Sequence, residues 1–248
     1  MQDDTHTKYK AIAEFLEYSE KQKEAYFSTE VDITFTDQAD DTVAVYMSVP
    51  YLDVKYAFNS VHTNDADTIY NELNSVGVVR EKYASGNTVS REATLARMNQ
   101  LSSRFSKKEE QLYLYSGFTV WDEEDGKFIG FCNGGGSEYQ PNYSEIAFFN
   151  TVKTWSHKPQ GYIGELDEKQ YKGTATVEVR TLEQYHRTLK AKGYKLNGQE
   201  LGGINMTARI DNPGSWKAAA KNGFEVYDVD KNLKYGEHLR YQLKKKLI

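Results

Sequence analysis

Apolar residues recur along this chain in two rhythms. Between residues 8 and 27 they fall at helical spacing: Ile12, Phe15 and Leu16 share one side, with Lys and Glu around them. That spacing predicts an amphipathic helix. The rhythm then shifts to every second residue. Val31, Ile33 and Phe35 alternate with polar neighbours, and so do Val43, Val45, Met47 and Val49. A period of two predicts strands with one covered face. The acidic stretch Asp37 to Asp41 between them reads as a turn, and Pro50 ends the second strand. A lone hairpin is marginal in water, so this helix and hairpin must pack on something.

Further along, Tyr56 to Val61 reads as a strand. Thr63-Asn64-Asp65 offers caps for a helix reaching Leu73, and Ser90, with Glu92 in the first turn, caps another running to Phe105. Leu95, Met98, Leu101 and Phe105 give the latter its buried stripe. Gln111 to Asp122 and Lys127 to Asn133 form a predicted hairpin around the turn Glu124-Asp125-Gly126. Gly134-Gly135-Gly136 reads as a loop, and no Gly-Lys-Ser/Thr follows to make it a nucleotide loop. Ser144 to Asn150 is a predicted strand. Thr176 to Lys192 is a predicted helix, with Val179, Leu182, His186 and Leu189 at helical spacing. His186 reads there as a boundary residue, and Lys190 and Lys192 suit the negative end of the dipole. Ile204, Met206, Ala208 and Ile210 alternate as a strand, a short helix stops at Gly223, and Leu239, Tyr241 and Leu243 belong to a closing hairpin around Tyr235-Gly236.

Composition narrows the function classes. The 248 residues suit one large domain or a domain plus an extension, and 39% hydrophobic residues allow a proper core. A net charge of −5 argues against nucleic acid as the main ligand and suits an amine partner better. The single Cys132 leaves no disulfide framework and fits a reducing compartment. Without a Cys/His pattern it reads as a buried strand residue, not a nucleophile. No apolar run approaches a membrane span and the N-terminus lacks a signal peptide's apolar core, so a soluble, cytoplasmic protein is expected. The five histidines have no metal-ligand spacing to one another, which predicts no metal.

Candidate chemistry concentrates between residues 170 and 224. Gln170-Tyr171-Lys172-Gly173-Thr174-Ala175 places a glycine at the mouth of a helix. Backbone N–H groups there can approach an anion, and the helix dipole favours negative charge. Asp211-Asn212-Pro213-Gly214-Ser215-Trp216 opens the next helix, capped by Asn212 or Ser215, and Gly223-Phe224 closes it. These two segments resemble the GNAT family of acetyl-CoA-dependent N-acetyltransferases. Gln170-x-x-Gly173-x-Ala175 is similar to the family's pyrophosphate loop. Asp211 to Phe224 resembles the "Asp-Asn-Pro-x-Ser … Gly-Phe" signature of the branch containing the ribosomal-protein N-terminal acetyltransferases. The resemblance covers about residues 55–248.

The resemblance implies an α/β fold: a mixed, twisted sheet with helices on both faces, here preceded by the N-terminal helix and β-hairpin. It divides the chain into an extension, 1–54, and an acetyltransferase domain, 55–248. The extension reads as cover for the domain's edge or a dimer interface, so a homodimer is possible; the other reading is a substrate-selecting cap. The implied co-substrate is acetyl-CoA, held by residues 170–175, by Asn212 and Ser215, and by the strand carrying Phe148 and Phe149. The acceptor is an amine, on a protein or a small molecule. In the family the strand before the loop often carries the general base, which points to Glu145. Residues 151–167 intervene here where the family has a few residues. Trp155-Ser-His-Lys158 resembles a degraded loop and 161–165 an alternative strand, so Glu165 is the second candidate base. The family's helix tyrosine, which protonates the leaving thiolate, is replaced by Ala219, leaving Ser215 as the residue near the sulfur. A non-catalytic protein that binds CoA or a protein partner is the alternative.

Overall fold

The computed structural model describes residues 2–22, 29–81, 83, 86–155, 157–160, 162–167, 169, 171–231 and 238–248. Helix α1 (Gln2–Gln22) comes first, then strands β1 (Asp32–Asp37), β2 (Val43–Tyr51) and β3 (Val54–Ser60). A helical stretch follows: a 3-10 turn Thr63–Asp65, α2 (Ala66–Ile69), a π turn Tyr70–Asn74, α3 (Gly77–Glu81) and α4 (Arg91–Ser102). After it come β4 (Gly117–Asp122), β5 (Lys127–Gly136) and β6 (Tyr143–Asn150). Helix α5 (Thr174–Ala191), the small pair β7 (Lys195–Leu196) and β8 (Gln199–Glu200), β9 (Gly203–Arg209), α6 (Pro213–Lys221), β10 (Glu225–Lys231) and β11 (Leu239–Lys246) complete the fold.

Nine strands form one sheet in the order β1-β2-β3-β4-β5-β6-β9-β11-β10. Every neighbouring pair is antiparallel except β6 and β9. The sheet is therefore mixed, as expected. Helices lie on both faces. Helix α5 covers one face: His186 Nε2 is 2.8 Å from Ser144 Oγ, and Asn150 Nδ2 donates to Glu178 at 2.9 Å. On the other face Tyr83, after α3, stacks on Phe149 at 4.2 Å. Helix α1 packs on the α5 side, where Phe15 meets Trp216 and Tyr241 at 6.1 and 5.5 Å. The predicted hairpin is β1 and β2, and β2 pairs with β3, so the hairpin extends the sheet. One apolar core runs from Ala11 and Phe15 through to Leu247.

Local departures from the sequence reading have physical reasons. In α1, Ala11 and Phe15 are buried four residues apart while Leu16 faces solvent; residues 23–27 of the predicted helix lie outside the described residues. His62, not Thr63, caps the first helical turn: its ring accepts from the Asn64 amide, and Asp65 closes the box on the His62 amide. In α4 the stripe starts at Thr94 and Leu95 is exposed, because Thr94 is fully buried against Asn74. Residues 111–115 belong to a 3-10 stretch, Lys107–Tyr115, capped by Ser106, so β4 begins only at Gly117.

The three glycines Gly134, Gly135 and Gly136 are the end of β5, not a loop. Gly134 leaves room for His186, whose Nε2 would lie 2.8 Å from a Cβ there. His186 itself is fully buried rather than at a boundary. Its Nδ1 faces the Leu182 carbonyl at 2.7 Å and so donates, leaving Nε2 to accept from Ser144. Burial lowers its pKa to about 4. Cys132 is a buried strand residue, and burial pushes its thiol well up. Among the described residues no helix is long and apolar enough to cross a membrane.

Candidate functional site

The parallel pair β6 and β9 stay in register from Tyr143 opposite Gly203 to Glu145 opposite Asn205. Beyond that point β6 continues to Asn150 and β9 to Arg209 without pairing. A cavity of about 690 Å³ opens there. Its wall includes Glu145 to Asn150 on one strand and Met206 to Arg209 on the other. It also includes Val79 and Tyr83 from one side of the sheet and Thr174 and Lys217 from the other. The cavity therefore passes through the sheet, between two strands that have parted.

Helix α5 begins at this cavity. Gly173 is its N-cap, with φ of 83°, a left-handed conformation that disfavours any side chain. A Cβ there would also lie 2.6 Å from the Tyr51 ring. The Gly173 carbonyl accepts from the Thr176 and Val177 amides at 2.8 and 3.0 Å. Among the described residues, the Gly173 and Ala175 amides have no backbone carbonyl as partner. Lys172, Lys217 and Lys221 also line the cavity. A tight backbone turn, a helix N-terminus and three ammonium groups together suit a phosphate-bearing ligand.

The loop is anchored from behind. Tyr171 is buried and its hydroxyl donates to Asp122 at 3.1 Å. Lys169 meets the same carboxylate at 2.6 Å. Burial alone would raise the Asp122 carboxyl, but the bonds from Lys169, the Asp125 amide and Tyr171 outweigh it and hold it below the usual carboxylate value. Thr174 Oγ1 lies 3.1 Å from the Tyr56 hydroxyl and donates to the Tyr171 carbonyl at 2.9 Å. Thus the side chains of Tyr171 and Thr174 fix the turn, and the turn's backbone faces the cavity.

The predicted site residues are not all brought together. Glu145, Phe148, Phe149, Tyr171, Lys172, Gly173, Thr174, Ala175, Asn212 and Ser215 line the one cavity. Gln170 lies outside the described residues. Glu165 is exposed, lies in no strand and is not part of the cavity wall. Asn212 occupies the N-cap of α6 without a side-chain capping bond, and Pro213 follows it at the first helical position. Ser215 is in the first turn, and Ala219 is buried.

Other cavity residues were not among the predicted site residues. Tyr18 reaches the wall from α1, so the N-terminal segment contributes to the site. Trp155 and His157 line it too, from within the segment between strand and loop. Arg209 and Arg240 line it on the Glu145 side. The anchor Asp122 ends a strand, about fifty residues from the loop, where no pattern connects the two. Among the described residues no group of three or more His, Cys, Asp or Glu side chains is placed to hold a metal.

No protein-family model matches the chain, and no curated protein matches it. Solved structures do. The GNAT-family acetyltransferase from Bacillus anthracis superposes with a TM-score of 0.54 at 15% identity, over 77% of this chain and 95% of that one. RimL, a ribosomal alpha-N-protein acetyltransferase solved with coenzyme A, gives 0.57 at 12% identity, over 81% and 98%. The microcin C7 self-immunity acetyltransferase MccE, solved with acetyl-CoA and AMP, gives 0.54 at 14% identity, over 79% and 93%. At these identities the likeness is one of fold: the chain has the mixed α/β fold of the GNAT acetyltransferases.

Proposed function

We propose that the protein is an N-acetyltransferase that moves an acetyl group from acetyl-CoA to a primary amine. The observation that carries this reading is the parting of β6 and β9 into a cavity that passes through the sheet, with the α5 N-terminus at one end. A ligand that is both long and phosphorylated matches that shape. The Gly173 turn and the first amides of α5 receive its pyrophosphate, and Lys172, Lys217 and Lys221 add positive charge. The free edge of β6 offers backbone groups to its amide-bearing arm, as a strand would.

Acetyl-CoA supplies an acyl thioester, and the residues of this chain do the rest. An α-amine has a pKa of roughly 8 and a lysine amine of about 10.4, so either is mostly protonated at neutral pH. Glu145, on β6 where the strands part, accepts the proton that must leave before the nitrogen attacks. A β6 backbone N–H stabilises the charge that develops on the carbonyl oxygen. The C–N bond forms, the C–S bond breaks, and the thiolate leaves toward Ser215 and takes up a proton from water, directly or relayed through the Ser215 hydroxyl, which water reprotonates. No covalent enzyme intermediate is needed, and positioning of two substrates supplies much of the acceleration.

Thermal unfolding with and without acetyl-CoA tests the reading. At about 100 times its dissociation constant the ligand should add roughly 2.7 kcal/mol of stability. At this chain length that amounts to about 5–10 °C. Gly173→Asp, which adds a side chain and a negative charge at the turn, should remove the shift. No shift in the wild type at millimolar acetyl-CoA sinks the reading. A shift without transfer to any amine favours a protein that binds CoA without catalysis.

A further inference from the structure

On β9 and β11, the sheet face that carries Glu145 is polar where a sheet interior is ordinarily apolar. On β9 this face presents Asn205, Thr207 and Arg209, paired in register with Lys244, Gln242 and Arg240 of β11. Asn205, Arg209, Arg240 and Gln242 are all more than nine-tenths buried. The opposite face of the same strands carries Ile204, Met206, Ala208, Tyr241 and Leu243. Buried polar groups cost free energy unless something satisfies them. Among the described residues, neither the oxygen nor the nitrogen of the Asn205 amide has a hydrogen-bond partner. Arg240 donates through Nε to Thr207 Oγ1 at 3.3 Å. Arg209 pairs with Asp211 and donates to the Glu81 carbonyl at 2.8 Å. Glu145, Thr207, Arg209 and Arg240 all line the cavity.

We propose that the acceptor is a primary amine that also bears an acid group, a carboxylate or a phosphate, and that Arg240 receives that acid while the amine lies against Glu145. The proposal rests on the acetyl-transfer reading and names its acceptor class. Glu145 and Arg209 stand two rows apart on this face, a backbone separation of roughly 13 Å. The reach of an arginine side chain shortens that gap, so amine and acid are a few bonds apart in one compact molecule. Asn205 lies beside Glu145 and offers a donor and an acceptor to the part between them. A guanidinium is suited to planar, two-point recognition of an oxyanion. A polyamine would instead bring a second ammonium toward the Arg240 guanidinium, and like charges repel.

These arginines are placed apart from the cofactor's phosphate site. Helix α5, whose N-terminus forms that site, attaches to the opposite face through Asn150–Glu178 and Ser144–His186.

Calorimetric titration of the CoA-bound protein with matched amines tests this. The pairs are β-alanine against β-alaninamide and phosphoethanolamine against ethanolamine, with spermidine as the polycation. At least one acid should bind about 10- to 100-fold more tightly than its neutral mate, as charge-assisted hydrogen bonds allow. The pair that shows the preference tells carboxylate from phosphate. Arg240→Leu should bring the ratio to near one, and Arg240→Lys, which keeps the charge without the planar fork, should restore part of it. Both variants should bind acetyl-CoA as the wild type does, which also reports that they fold. The proposal is overturned if no acid binds, if neutral mates or spermidine bind as tightly as the acids, or if the Arg240 variants lose acetyl-CoA rather than the acid preference. Failure of the wild type to bind acetyl-CoA is a different result, and it removes the acetyl-transfer reading itself.

Discussion

Along one edge, strand β6 is laddered to β5 from Gly130 opposite Asn150 to Gly136 opposite Ser144. Along its other edge it meets β9 only from Tyr143 to Glu145. The paired edge is crowded. A Cβ on Gly130 would lie 2.1 Å from Asn150 Oδ1 and 2.7 Å from the Phe149 carbonyl oxygen. The open edge leaves the outward backbone groups of β6 beyond Glu145 without a strand to bond them, and such groups need a partner. One strand thus does two jobs. Its closed edge fixes where the open edge stands, and the open edge is where the proposed reading lays the extended ligand.

Changes at the two edges should have different signatures. The largest effect is expected at the open edge. Glu145→Gln keeps the side chain's size and removes the basic carboxylate, so turnover should fall roughly 10²–10⁴-fold with acetyl-CoA affinity nearly unchanged. The deficit should narrow at high pH, where free amine is already present. Thiol release against pH measures both, and full activity in this variant would remove Glu145 from the reaction.

At the closed edge the expected loss is of stability. Gly130→Ala forces a methyl into the space of Asn150 and should cost about 1–3 kcal/mol. Urea unfolding would show it, and a variant as stable as the wild type would mean that the ladder yields more easily than its geometry implies.

A third prediction concerns the groups beneath the closed edge. Burial pushes the Glu178 carboxyl up to about 8, against a partial lowering by the Asn150 amide. Unfolded glutamate ionises near 4.3. The stabilising contribution of the protonated form is thus complete below about 4.3 and is lost as pH rises toward 8. His186 has the opposite sign: its contribution is present above about 6.5 and is lost as pH falls toward 4. The two slopes cancel between roughly 4.3 and 6.5. From there to pH 8 stability should fall by at most about 1.4 kcal/mol per unit. Glu178→Gln, close in shape to the protonated acid, should flatten that decline, as urea unfolding at pH 6.5 and 8 would reveal. A decline that persists in the variant belongs to other groups.

The smallest effect is expected at Ser215, where, on the proposed reading, water can replace a hydroxyl beside the leaving thiolate. Ser215→Ala should slow turnover by about tenfold or less, below the range of a positioned base. A loss as large as that of Glu145→Gln would give Ser215 a greater share in the chemistry.

Much of the site was legible where one residue type does a job no other can. Gly173 before an amphipathic run marks the α5 start because only glycine sits easily at its φ of 83°. Gly223, with φ of 72°, marks the α6 stop, and the Phe224 amide returns to the Ala219 carbonyl at 3.1 Å. Patterns failed where two structures share one rhythm. Leu112 and Leu114 alternate with Gln111 and Tyr113, as a strand would, yet they lie in a 3-10 stretch. Gly134 to Gly136 look like a loop but end β5, and what Gly134 makes room for is a buried histidine about fifty residues away. Alternation in β9 and β11 correctly announced strands, and it reads as a wet face opposite Ile204 and Leu243. Instead Asn205, Arg209, Arg240 and Gln242 are buried. Period two says that a face is polar, and only the neighbouring elements decide whether water reaches it.

The place of β11 between β9 and β10 has a consequence for how the molecule is made. A ribosome that has released residues up to 231 has delivered both flanking strands but not the one that joins them. They then have no native ladder to each other, and their edges stand open to wrong partners. The sheet around the cavity closes only when residues 239–246 arrive, so long-range closure and not helix formation is expected to set the pace of folding. A nascent chain cut short before them would carry the whole glycine turn of α5 and still lack the wall that holds β9 in place.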